Sequence, residues 1–371
     1  MHQERLTKIQ TQLKEKGLHG MALVPGPNLL YVSGMHTHLS ERPIVFLIPA
    51  EGEPAVVIPT LEAPKARSAG ISEERIFHWG DDEGYMGAFQ HACQTLGLAG
   101  KTIAVEKLYM RMIEWDMLEE FAPGLKRDYA DPILNGIRLV KGEDELAHMQ
   151  KAVDIAEQAM HDLLPQIKIG MTEKQIAGML NQLMIEGGSD GNPFGPIVSS
   201  GPNAASPHAV PTNRPIQEGE LMIIDWGAIV HDYPSDITRT FAIGEISDDL
   251  KQMYMTVKAA NEAGIAAAKP GNSCSAVDEA PRKVINDAGY GEYFIHRTGH
   301  GLGLEVHEEP SMVTGNNAEL VSGMTFTVEP GIYIPEVGGV RVEDDVLITS
   351  EGNRILTSFP KELISITQSA D

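Results

Sequence analysis

The sequence predicts an α+β architecture in two domains, a small α/β domain over residues 1–137 and a larger domain over residues 138–371 that carries an approximate internal repeat. Three observations predict it. The chain has 371 residues, more than a single hydrophobic core of ordinary size organises. Its first third mixes short apolar, strand-like runs with helical ones. The remainder shows one order of helices and punctuation twice, about 101 residues apart.

In the first domain, Leu6, Ile9 and Leu13 lie on one face of a helix that Gly17 is suited to end. This opening stretch, MHQERLTKIQTQLKEKG, is polar and amphipathic and does not read as a signal peptide. GMALVPGPNLLYVSG, PIVFLIPA and PAVVIPT follow as strand-like runs, then KTIAVEK as a strand and MIEWDMLEEFA as a helix. No constellation of catalytic side chains falls here, so this domain is expected to support or partly cover a site made elsewhere. DPILNGIRLVKGEDE reads as the boundary.

The second domain opens with a helix whose Leu146, Met149, Val153, Ala156, Met160 and Leu163 form one apolar stripe. Lys168, Gly170 and Thr172 follow, and Thr172 with Gln175 forms a capping box for the next helix, MTEKQIAGMLNQLMIEGG. The same order returns as DDLKQMYMTVKAANEAGIAAA, then Lys269, Gly271 and Ser273, then a helix ending at Ala288 and Gly289. This layout implies a pseudo-twofold domain in which polar strand residues from both halves meet near the axis.

Composition narrows the function. The chain is 42% apolar and 22% charged, ordinary for a soluble globular protein. Its net charge of -23 argues against nucleic acid, which requires a basic patch, and against anionic membranes. No apolar run reaches the ~18 residues that span a bilayer. Cys93 and Cys274 stand far apart and fit no zinc-binding spacing, which points to a reducing compartment and a cytoplasmic enzyme.

Acids and histidines then interrupt otherwise apolar runs, where an isolated carboxylate is costly to bury. In LMIIDWGAIV, Leu221, Ile223 and Asp225 share one strand face, and in SDITRTFAI so do Asp236, Thr238 and Thr240. A Gly/Pro-containing turn between them reads as a hairpin. HRTGHGLGLEVHEEP places His296, His300 and His307 among glycines, which let backbone approach a ligand closely. Its glycines lack the dinucleotide spacing. In MTFTVEPGIYI, Glu329 ends an alternating strand; in GVRVEDDVLIT, Arg341 and Glu343 share a strand face. Taken singly, Asp236 also suits a turn, and Arg341 with Glu343 a salt bridge. Together, four carboxylates and one imidazole suit Mn²⁺, Co²⁺, Fe²⁺ or Zn²⁺. Four clustered negative charges match two divalent ions, where one ion would leave repulsion that raises carboxylate pKa values.

DWGAIVHDYPSDITRT, HRTGHGLGLEVHEEP, TVEPGIY and GVRVEDDVLIT occur in the order of the pita-bread metallopeptidases, and SSGPNAASPHAV with His208 matches upstream. The second domain resembles this family, which contains methionine aminopeptidase, aminopeptidase P and prolidase, and residues 1–137 resemble its creatinase-type N-terminal domain. The resemblance implies two divalent ions, manganese foremost. Asp225 would bind one; Asp236 and Glu343 would bridge both; His300 and Glu329 would complete the second. Glu329 would also carry the proton. His208, His296, His307 and Arg341 would bind substrate, the histidines also the tetrahedral intermediate, and Arg341 would orient Glu343. His231 to Pro234 depart from the Gly-Tyr usual before the second aspartate motif, and His231 reads as a turn residue. The creatinase-type first domain favours Xaa-Pro cleavage over methionine removal, with a prolidase-type dipeptidase ahead of an Xaa-Pro aminopeptidase. A small peptide substrate and a homodimer are implied. A metal-free creatinase-type hydrolase or a non-catalytic binding module would require lost ligands, and all five are present.

Overall fold

The computed structural model describes residues 1–368. Its contacts divide into two compact units, Met1–Arg138 and a second beginning at Leu139.

The first unit starts with α1 (Gln3–Glu15), whose Leu6, Ile9 and Leu13 are buried and whose end is followed by Gly17 at φ 66°. Then come β1 (Gly20–Leu23), α2 (Pro27–Ser33), β2 (Val45–Pro49), β3 (Ala55–Pro59), α3 (Ala63–Ser68), β4 (Ile76–Trp79), α4 (Met86–Thr95), β5 (Thr102–Val105), α5 (Met112–Phe121), β6 (Lys126–Tyr129) and α6 (Asp131–Arg138). The strands form one mixed sheet in the order β4-β3-β2-β1-β5-β6. GMALVPGPNLLYVSG is not one strand-like run. Its second half is α2, because Pro27 is preset for a first helical turn and Gly34 closes the helix at φ 73°.

The second unit is the repeated one. Its first half comprises α7 (Glu143–Leu163), α8 (Glu173–Glu186), β7 (Ile197–Ser200), β8 (Leu221–Trp226), the short ribbon β9 (Ile229–Val230) and β10 (Tyr233–Pro234), and β11 (Ile237–Ile243). The second half comprises α9 (Asp248–Ala267), α10 (Cys274–Asp287), β12 (Gly299–Gly301), β13 (Glu308–Met312), β14 (Thr325–Val328), β15 (Gly331–Ile334), β16 (Gly338–Arg341), β17 (Asp344–Ile348) and β18 (Asn353–Ile355). β19 (Ser365–Ile366) returns to pair with β11. Thr172 and Ser273 cap corresponding helices, α8 and α10, and each makes a single β-bridge, to Pro215 and Glu319.

Each half buries a sheet face under its helix pair. Ile176, Leu180 and Met184 of α8 meet Ile224, Trp226 and Phe241 in one core. Val277 of α10 meets Phe326, Val328 and Val346 in the other. Burying one such side chain contributes ~1.5–3 kcal/mol. The halves join where the sequence suggested a single strand. GVRVEDDVLIT is two strands in different sheets: β16 pairs with β15, and β17 pairs with β14. Between them Glu343 bridges to Thr238 of β11, its N–H donating to the Thr238 carbonyl at 3.1 Å. Polar strand residues of the two halves therefore meet at this join.

Candidate metal centre

β8 and β11 are antiparallel, with Asp225 directly across from Thr238. Asp236 stands one residue before β11, and its N–H donates to Asp345 Oδ2 at 3.1 Å. The turn between β9 and β10 puts His231 at φ 47° and Asp232 at φ 71°, so His231 is a turn residue outside the cavity lining.

His300 occupies the middle of β12, flanked by glycines for a packing reason. A Cβ on Gly299 would lie 1.8 Å from the Thr327 carbonyl oxygen, and one on Gly301 2.2 Å from that of Glu309. Only glycine admits neighbouring backbone this closely. His300 Nδ1 lies 3.2 Å from the Gly301 carbonyl oxygen. That carbonyl only accepts, so Nδ1 carries the proton and Nε2 presents a lone pair. Nε2 sits 3.3 Å from Glu329 Oε1 and 3.8 Å from Asp236 Oδ2. Burial pushes the imidazole down to about 3, so it is neutral.

Glu329 follows β14 directly, and its N–H donates to the Thr298 carbonyl at 2.7 Å. Glu343 accepts from Thr238 Oγ1 at 2.6 Å. A ligand atom from each of Asp236, His300 and Glu343 falls within 4.8 Å of the others. Burial, then the neighbouring carboxylates, pushes Asp236 and Glu343 well above the usual carboxylate range, and burial pushes Glu329 up to about 7. Asp225 Oδ1 is buried with no hydrogen-bond partner.

Arg341 departs from expectation. Its Nη2 donates to Asp225 Oδ2 at 2.6 Å, not to Glu343. Nη1 donates to the Pro207 carbonyl and Tyr333 Oη, and Nε to Thr238 Oγ1, so it reaches Glu343 only through that hydroxyl. The cause is the change of sheet after Arg341, which separates the two side chains that one strand would have aligned. The guanidinium is buried and engaged at all three nitrogens, so it braces the site and offers a substrate little.

His296 is similarly engaged. Nδ1 donates to the Arg297 carbonyl at 2.7 Å, which leaves Nε2 to accept from Tyr333 Oη at 3.0 Å. Burial pushes it down to about 4. Both ring nitrogens are therefore engaged inside the protein, while the ring, expected to bind substrate, lines the cavity. His208 and His307 line the same cavity, and the His307 ring meets that of His300 edge-on at 4.1 Å. The cavity encloses about 720 Å³, a small-molecule size, and all nine residues singled out in the sequence line it. Thr238 and Tyr333 complete the hydrogen bonding; alternation places Thr238 on the Asp236 face, but nothing in the sequence marks the partners of either. Their partners are set by strand register across more than a hundred residues for Thr238 and by the β15–β16 ribbon for Tyr333.

The donor set fits divalent cations. Four carboxylates share a buried space in which Arg341 bonds directly to one of them, an orphaned oxygen remains on Asp225, and a histidine tautomer is fixed with its lone pair inward.

The metallopeptidase family M24 model matches residues 147–350, and the creatinase/prolidase N-terminal domain model matches residues 5–140. An Xaa-Pro dipeptidase from Lactobacillus delbrueckii subsp. lactis is 36% identical over 362 residues, covering 96% of this chain and 98% of that one. A solved prolidase from Thermococcus sibiricus is similar with TM-score 0.94 at 33% identity, covering 98% of this chain and 99% of its own. A dipeptidase from Pyrococcus horikoshii OT3 gives TM-score 0.91 at 38% identity, covering 97% and 99%. The second unit thus has the pita-bread fold, and the family's metallopeptidase chemistry calls for divalent ions. With both domains matched in order and relatives aligned along nearly the whole length, the chain belongs to metallopeptidase family M24.

Proposed function

We propose that this protein is a two-metal hydrolase of Xaa-Pro dipeptides, a prolidase-type dipeptidase. The observation that carries the reading is the convergence of Asp225, Asp236, His300, Glu329 and Glu343 on one cavity with too little positive charge to neutralise them. In this reading Asp225, Asp236, His300, Glu329 and Glu343 would hold the two ions, Asp236 and Glu343 being shared between them. The oxygen-rich set suits Mn²⁺ foremost, with Co²⁺, Fe²⁺ and Zn²⁺ as other candidates. When bound, such a pair supplies Lewis acidity at a carbonyl and makes water acidic enough to attack near neutral pH.

The chain's own residues do the rest. Glu329 accepts the attacking water's proton and delivers it to the leaving secondary amine. His208 and His307 donate to the carbonyl oxygen as it gains charge. Arg341 fixes Asp225, Tyr333 accepts from Arg341, and His296 in turn orients the Tyr333 hydroxyl. Pro193, Phe194, Ile197 and Val306 supply an apolar wall suited to a pyrrolidine ring or the preceding side chain. The relatives' names support a dipeptide over a longer peptide.

We also propose a homodimer in a reducing, cytoplasmic setting. The setting is supported by Cys93 and Cys274, both free and buried, with thiols pushed up to about 11 by burial. No helix among the described residues is long and apolar enough to cross a membrane.

The test is hydrolysis of Gly-Pro and of Gly-Pro-Ala by chelated protein before and after Mn²⁺ is restored. Cleavage of Gly-Pro alone, and only with metal, is expected. Cleavage of the tripeptide alone would reassign the protein as an Xaa-Pro aminopeptidase, and activity surviving chelation would favour a creatinase-type hydrolase.

A further inference from the structure

The two halves share a feature that the metal centre does not use directly. In the first half Glu173, the first residue of α8, is wholly buried. Its Oε1 accepts the Ser200 N–H at 2.8 Å, and its Oε2 accepts the N–H and Oγ1–H of Thr212 at 2.9 and 2.6 Å. In the second half Asp278, inside α10, is equally buried. Its Oδ1 accepts the Thr298 N–H at 2.8 Å, and its Oδ2 accepts the N–H and Oγ1–H of Thr314 at 2.9 and 2.6 Å. One carboxylate oxygen thus takes a backbone N–H from the start of a segment, and the other takes both donors of a threonine at its end. The same arrangement occurs in both halves.

The clasped segments carry the histidines of the site. Ser200 and Thr212 bracket His208; Thr298 and Thr314 bracket His300 and His307. Thr298 also receives the Glu329 N–H, so the Asp278 clasp reaches two of the assigned metal donors. Arg282 extends it by donating to Asp278 and to the carbonyls of Phe294 and His296. Glu173 also accepts from Ser200 Oγ and Asn203 Nδ2, and its segment reaches an assigned metal donor only indirectly, through the Pro207 carbonyl that accepts from Arg341, the partner of Asp225.

We propose that Glu173 and Asp278, which stand about one helical turn apart in corresponding helices yet make the same hydrogen bonds, are positioning residues with divided duties: Asp278 sets the metal donors His300 and Glu329, and Glu173 sets His208 for the substrate. The proposal rests on the metal-centre reading above. Carboxylates that accept several N–H and O–H donors in a buried place hold them tightly. Outer residues that orient metal ligands typically change metal affinity or activity by 10–100-fold when altered.

The test pairs Mn²⁺ affinity of the chelated full chain, by calorimetry, with kcat and KM for Gly-Pro at saturating Mn²⁺. Asp278→Asn and the milder Thr314→Val, which removes one hydroxyl donor, should weaken Mn²⁺ binding on the order of tenfold or more. Glu173→Gln and Thr212→Val should leave Mn²⁺ affinity within about twofold of the parent chain and lower kcat/KM on the order of tenfold. Thr314→Ser and Thr212→Ser, which keep the hydroxyl, should restore each value. The threonine variants keep the question answerable if the acid variants do not fold. Unchanged Mn²⁺ affinity in Thr314→Val and Asp278→Asn would overturn the proposal, as would all variants altering both readouts alike. A parent chain that binds no Mn²⁺ at all would instead remove the metal-centre reading, and this division with it.

Discussion

Glu343 and Asp344 are neighbours in sequence and both are buried, yet their carboxyl groups meet opposite surroundings. Burial raises the pKa of each. For Asp344 that tendency is overcome by Arg239 and Lys361, at 2.9 and 2.5 Å, which hold it below the usual range. Glu343 faces Glu329 and Asp225, and stays well above that range. Buried acids in this protein thus fall into two kinds. One is matched by cations of the chain and ties a sheet to the C-terminal segment. The other shares a cavity with further acids and, in the function proposed above, is completed by ions from outside. Asp345 shows that a raised pKa is not sufficient: it too is pushed up by burial, but it lies outside the cavity lining and accepts the Asp236 N–H.

The largest expected break in this comparison is Glu343→Gln. Hydrolysis of Gly-Pro should fall by at least about 10³-fold, or ~4 kcal/mol of barrier. Urea unfolding in chelator should show the same variant at least as stable as the parent, because a repelled buried charge has been removed. Asp344→Asn should do the reverse to the fold. Arg239 and Lys361 lose their counter-charge, and unfolding free energy should drop by ~3–5 kcal/mol whether or not Mn²⁺ is present.

The pH dependence of the metal-free chain sharpens the contrast. Asp236, Glu329 and Glu343 are raised, so the native state binds more protons than the unfolded chain. Their contribution to stability is fully present below the unfolded carboxylate pKa of ~4 and is lost as pH rises through the folded values, about 7 for Glu329. Asp344 is lowered, so its contribution is present above ~4 and lost only in stronger acid. Urea midpoints in chelator should therefore decline between pH 5 and 8, and Mn²⁺ should remove the decline. The smallest effect belongs to Asp345→Asn. The amide keeps an oxygen for the Asp236 N–H, and kcat/KM should stay within a fewfold of the parent.

The sequence revealed much of this site, and the reason is physical. Asp225, Glu329 and Glu343 each stand in or end an apolar run, where an acid needs an explanation that few structures supply, Asp236 opens another, and His300 stands out by its flanking glycines. The repeat was legible from Thr172 and Ser273, because helix caps are local. Long-range register was not. Nothing near Arg341 in sequence says that the chain changes sheets before Asp344, so its pairing with Asp225 and the Thr238 relay to Glu343 were hidden. The tie between His296 and Tyr333 was hidden for the same reason. In the first domain, α2 was read as extended because its seven residues show too little periodicity to betray a helix.

In the proposed function the unmatched acids around Glu343 are completed by two divalent ions. Calorimetric titration of the chelated chain with Mn²⁺, in parallel with Glu343→Gln, tests it most directly. Two ions should bind per parent chain, and at least one of them should be lost in the variant. Equal binding by both proteins, or none by the parent, would contradict it.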